Sequence, residues 1–172
     1  MKTRFKYIAM LLAITALGGL AVTAIASGVH FQKGSPTFTA DHNNLTLNAS
    51  GVIAGLGNGA TVTLSATAIP TTTCTNQGGN QAPGQNPGSI TVTGATALPD
   101  ANGTNGSRPF TVTTNPPAQP SSGKAGGCPN NTWTAHIDDL CFTSATLTFQ
   151  QLDKNGNPVT VLSKTFNFSP CL

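Results

Sequence analysis

The sequence predicts an all-β domain: an immunoglobulin-like β-sandwich of about seven antiparallel strands, with a small barrel or jelly roll as second choice. Three observations lead there. Short runs alternate apolar residues with Thr or Ser, and turns rich in Gly, Pro and Asn separate them. No stretch after the first 26 residues carries helical periodicity. Thr occurs 24 times after residue 26, and a β-branched residue at that density suits a half-buried pleated surface and disfavours helix.

The elements follow in chain order. Residues 1–26 form the first unit. Lys2, Arg4 and Lys6 precede an apolar run from Tyr7 to Ala26 that closes on Ala24-Ile25-Ala26, the pattern of a secretory signal peptide. An uncleaved anchor is the alternative, since 20 such residues just span a bilayer. Thr15, Gly18, Gly19 and Thr23 within the run, and the small-residue site at its end, favour cleavage. No second apolar run is long enough to span, so no membrane association is expected after cleavage. Residues 27–44 read as a tether or an irregular edge, interrupted by Gly34-Ser35-Pro36. Residues 45–172 are the sandwich.

Seven strands are expected there: Leu45–Ser50, Ala60–Ile69, Ser89–Thr96, Arg108–Thr114, Asn131–Ile137, Phe142–Leu152 and Val159–Phe168. Candidate inward residues include Leu47, Ala49, Val62, Leu64, Ala66, Val92, Phe110, Val112, Leu147 and Phe149, each on one parity of its strand. Asn155-Gly156 between the last two strands is a strong hairpin signal. The segments 75–88 and 115–130 are too rich in Gly, Pro and Asn to hold a ladder, and read as loops.

Charge excludes one class of partner. Once the leader is set aside, five basic and five acidic residues remain, with no Glu. A chain so close to neutral lacks the electrostatic footprint of nucleic-acid binding.

Four cysteines in an exported chain read as two disulfides. Around a hairpin, opposed residues have a constant index sum. A three-residue loop Asn155-Gly156-Asn157 opposes Lys154 to Pro158, and the same count opposes Cys141 to Cys171. Cys74 then pairs with Cys128, tying the two extreme loops together at one end. The spacing lacks Cys-x-x-Cys, so zinc is not expected.

Few residues offer chemistry. Asp138 and Asp139 could ligate calcium, but that ion wants six to eight oxygens, and a turn in which Asp accepts backbone amides fits better. His30, His42 and His136 are scattered, and no serine motif accompanies them, so no enzyme and no cofactor is expected. Trp133 shares a face with Ala135 and Ile137, which favours packing against a disulfide over sugar stacking. Lys164 alternates with Leu162, Phe166 and Phe168. Pointing inward, it would suit the isopeptide chemistry of some bacterial surface domains; a bulge near Leu162-Ser163 would place it in solvent instead. Asn-x-Ser/Thr sites begin at Asn44, Asn48, Asn102, Asn105, Asn130 and Asn167, and matter only in a glycosylating host.

The run from Cys74 to Gly88 (CTNQGGNQAPGQNPG), with Cys128 to Ala135 (CPNNTWTA), resembles a set of short secreted proteins of filamentous soil bacteria. The resemblance implies an extracellular compartment and supplies no activity. Cys141 and Cys171 fall outside it, so the second disulfide reads as an addition. The expected role is that of a secreted, non-enzymatic protein working through its surface, by adhesion, assembly or a structural role. Its partner would be extracellular, in the cell wall, or a second copy. The competing reading is a carbohydrate- or peptide-binding module on the clamped loops, with Asn76, Gln77, Asn80, Gln81, Gln85, Asn86, Asn130 and Asn131 as candidate contacts. An exposed aromatic or a deep pocket there would favour the module; a flat Thr-rich face or an open edge would favour adhesion or assembly.

Overall fold

Among the described residues the chain forms nine strands: β1 (His30–Phe31), β2 (Thr37–Asp41), β3 (Thr46–Ala54), β4 (Ala60–Thr75), β5 (Gln81–Pro83), β6 (Ile90–Leu98), β7 (Arg108–Thr113), β8 (Thr134–Leu152) and β9 (Pro158–Asn167). One 3-10 turn, Lys124–Gly126, precedes β8. The structure is a computed structural model that describes residues 28–57, 59–100 and 106–172. The expected leader and the sites at Asn102 and Asn105 lie outside the described residues.

The strands make two antiparallel sheets packed together, one curled as a half-barrel. In the first, β3 is central, with β1 and β2 end to end on one side and β7 on the other. In the second, β4 is central, with β6 and β5 end to end on one side and β8 then β9 on the other. Strict alternation drives this layering. Ala60, Val62, Leu64, Ala66 and Ala68 of β4 are all buried while the Thr and Ser between them face out, as a period of two requires. Leu47, Ala49, Ile53, Phe110, Val112, Leu147 and Phe149 are among the residues that join them in the core.

Each side of the sandwich closes differently. β6 meets β7 closely enough that a Cβ on Gly94 would lie 1.9 Å from the Thr113 carbonyl oxygen, so only glycine fits. There the Asn115 N–H donates to the Thr93 carbonyl at 2.8 Å. The opposite side closes with rings: Phe38 of β2 stands 5.0 Å from Phe166 and 5.2 Å from Phe168. Arg108 is buried, its guanidinium donating to the carbonyls of Pro99 and Gly57.

Several expectations need correction. Of the two readings of the N-terminal segment the edge is the one seen, since β1 and β2 both pair with β3. Strand two runs six residues further, to Thr75, because alternation continues through Pro70, Thr72 and Cys74. The two strands expected at Asn131–Ile137 and Phe142–Leu152 are one strand, β8. Asp138-Asp139 make no turn there; a register shift against Thr71 and Thr72 absorbs one extra residue as a bulge. The 75–88 segment contains the short strand β5.

The last hairpin has the expected loop length, displaced by one residue. Asp153 N–H donates to Asn157 O at 2.8 Å, so the loop is Lys154-Asn155-Gly156. Gly156 takes φ +82°, and a three-residue loop of this kind places its left-handed residue last. Leu152 therefore opposes Pro158. A bulge at Val161 moves the register by one, and a bend over Phe168–Cys171 absorbs the rest, so that Phe142 and Leu172 exchange backbone bonds. Both disulfides are those expected, with Cα separations of 5.6 Å for Cys74–Cys128 and 5.4 Å for Cys141–Cys171.

Candidate functional site

β4 and β8 extend together past the main core. Over Thr72–Cys74 and Ala135–Ile137 their inner face is met by the 115–130 segment. Cys74 is fully buried and bonds Cys128, with Ala135 and the half-buried Trp133 packed around the disulfide. Buried Thr72 donates its hydroxyl to the Gly126 carbonyl at 2.7 Å. A Cβ on Gly126 would come within 2.2 Å of Ala135 Cβ, so the segment lies against the ribbon only with glycine there. Gln119 Oε1 accepts the Ile137 N–H at 2.8 Å and lies 3.1 Å from His136 Nδ1. Gln85 N–H donates to Gly127 O at 2.8 Å. The two extreme loops are thus in direct contact, as expected.

The eight candidate contact residues divide into two groups. Asn76 Oδ1 accepts the Asn80 N–H at 2.9 Å, which closes the Asn76–Asn80 turn between β4 and β5. Asn130 Oδ1 accepts both the N–H and the hydroxyl of Thr132, at 3.0 and 2.6 Å. Asn131 Oδ1 accepts the Lys124 N–H at 3.3 Å. Those amides hold their own loops. Gln77, Asn80, Gln81, Gln85 and Asn86 are exposed, and their amides are the ones left to face solvent.

A larger polar surface lies on the outer face of the second sheet. Four rows cross β6, β4, β8 and β9 in register. They are Thr91, Thr67, Ser144, Asn167; then Thr93, Ser65, Thr146, Thr165; then Ala95, Thr63, Thr148, Ser163; then Ala97, Thr61, Gln150, Thr160. No charged residue stands in any row. Strand spacing sets the rows at about 4.8 Å across and about 6.7 Å along. Neighbouring hydroxyls bond to one another, Thr146 to Thr165 at 2.8 Å and Thr148 to Ser163 at 3.2 Å, which fixes their orientation. The outward column of β4 continues through Ile69, Thr71, Thr73 and Thr75. Ile69 is 45% exposed and opposes Cys141, so a small apolar spot interrupts the hydroxyls.

Charged groups lie off these rows, and several carboxylates are bonded locally. Asp138 Oδ2 accepts the Thr73 hydroxyl at 2.7 Å. Asp139 Oδ1 accepts the Leu140 N–H and lies 2.6 Å from His42 Nδ1, both side chains about half exposed. In Asp153, N–H donation from Asn157 and then Asn155 holds the carboxyl below its usual range, and the Asn44 amide does the same for Asp41. Lys164 opposes core residue Leu147 yet is exposed, because β9 is an edge strand; its ammonium sits 5.3 Å from the Phe166 ring centre. The bulge expected near Leu162-Ser163 occurs at Val161. An open cleft lined by Gly59, Asp100, Gln151, Asp153 and Pro158 lies away from the clamped loops.

Comparison with known proteins returns no matching family model, no matching curated protein and no matching solved structure. Among the described residues, no helix is long and apolar enough to cross a membrane. The two disulfides point to an oxidising compartment.

The uncharged hydroxyl face was only half legible in the sequence. Alternating Thr marks each strand, but which strands lie side by side is a matter of long-range pairing. Gln119, Thr72 and Gly126 carried no sequence signal at all.

Proposed function

We propose that the protein is secreted and non-enzymatic, and that it works through its surface in adhesion, assembly or a structural role. The observation that carries this reading is the uncharged Thr/Ser face across β6, β4, β8 and β9. A surface ordered by its own hydroxyl pairs is suited to broad, shallow contact. The leader pattern, the two disulfides and the resemblance of the clamped loops to secreted bacterial proteins all support the compartment. The immunoglobulin-like plan belongs to the same reading, with two antiparallel sheets over one core. The clamped loops fit a module less well, since Asn76, Asn130 and Asn131 are committed to turns and Trp133 to the disulfide.

Fractionation of the native culture tests this, with intact mass and alkylation of the recovered protein. We expect it in the medium or the envelope, beginning near Ser27, with no alkylation before reduction. Recovery of full-length, reduced protein from the cytoplasm would refute the reading.

A further inference from the structure

We propose that the outer face of β6, β4, β8 and β9 adsorbs to a solid, neutral, β-linked polysaccharide; this rests on the surface role just given. The sheet edges are poor places for assembly. In the second sheet, β9 is blunted by Pro158, the Val161 bulge and exposed Lys164, and the other edge, β6, is closed against β7, where the Asn115 N–H donates to the Thr93 carbonyl. The face is the remaining extended surface of that sheet.

Its chemistry narrows the occupant. With no charge in the four rows, an ionic partner would find nothing to pair with. Each Thr presents a methyl group and a hydroxyl that both donates and accepts. A pyranose polymer presents the same mixture of C–H and hydroxyl. The apolar spot at Ile69 offers a place for the C–H side of a ring. The rows also repeat, and many weak, equal contacts add up only against a partner that repeats too. A second copy of the chain fits less well. The four rows cover about 500 Å² by strand spacing and rise, against about 800 Å² per partner in a stable dimer. They also hold none of the aromatic or Arg anchors that carry protein interfaces.

The test is depletion of the mature full-length protein from solution by microcrystalline cellulose and by chitin. Ser65→Lys with Thr146→Lys places two charges at the centre of the face. Thr165→Lys, on the exposed edge strand, repeats the test with less risk to folding. Gln81→Lys with Gln85→Lys charges the clamped loop instead. We expect binding of the unaltered protein to at least one solid, at least a tenfold loss in the central variant, a smaller loss with Thr165→Lys, and no loss in the loop variant. No depletion by either solid would overturn the proposal, as would loss confined to the loop variant, or a wild-type dimer that the central variant abolishes. Failure here with the protein recovered from the envelope would leave the secreted surface role standing.

Discussion

The sandwich and the clamped extension of β4 and β8 are parts of one continuous sheet, yet they are held by different forces. In the sandwich, two sheets bury facing apolar rows, and Phe149 stands 5.2 Å from Phe110 and 5.8 Å from Phe31. In the extension, the second layer is a Gly- and Pro-rich segment with almost no apolar side chains to offer. One buried disulfide, one buried hydroxyl bond from Thr72 and one Gln119 bond to Ile137 take the place of a core. Strand pairing alone can carry a ribbon beyond its core, but something must satisfy and cover its inner face. Here covalent and polar links do so, and that leaves loops free to be polar on their outer side.

The largest test of this contrast is Phe149→Ala. Removing a fully buried ring that joins both sheets should cost about 3–5 kcal/mol, read as a fall in urea midpoint with loss of both regions together. A change of under 1 kcal/mol would mean that the rings do not hold the sheets.

Next is Cys74→Ser with Cys128→Ser. The pair closes a separation of 54 residues, for which chain entropy gives about 4 kcal/mol. The sandwich should survive, while segments 75–88 and 115–130 become protease-sensitive. Equal loop protection with and without the disulfide would show that the polar links suffice.

Reduction should separate the two disulfides. Cys74 is fully buried and Cys128 nearly so, whereas Cys171 is exposed at the sheet surface. Thiol exchange requires access to a sulfur, so alkylation under mild reductant should label Cys141 and Cys171 at least tenfold faster. Labelling of Cys74 first would mean that the extension opens more readily than the chain's end.

The smallest effect compares two turns of the same shape. Asp153–Asn157 and Asn76–Asn80 each close with a left-handed Gly, at φ +82° and +81°, and each is braced by the side chain of its first residue. Only the Asp turn titrates. Its carboxyl is lowered, chiefly by the Asn157 N–H, so its stabilisation is complete above the ordinary Asp range, about 3.9. That stabilisation is lost as pH falls through the lower folded value. Amide shifts of Asn155 and Asn157 should move in acid, those of Asn80 should not, and Asp153→Asn should abolish the movement. Equal acid responses in both turns would break the distinction.

Much of this molecule is determined by local pattern. Period-two alternation marks the inward rows of β3, β4, β7 and β8, since a one-residue slip would turn every apolar side chain to water. Cysteine number and hairpin counting were enough to pair all four thiols, even though the turn lies one residue from its expected place. Chain order could not determine what depends on distant neighbours. The Asp138-Asp139 pair resembles a turn until β8 is seen running on beside β4 with one of the two residues as a bulge, and His30–Phe31 and Thr37–Asp41 are strands only because β3 offers them an edge. Gly94 and Gly126 matter for what approaches them, Thr113 and Ala135, more than for their own flexibility. The hydroxyl face is the same case: sequence supplied alternating Thr in separate strands, and long-range pairing alone set those strands side by side in register.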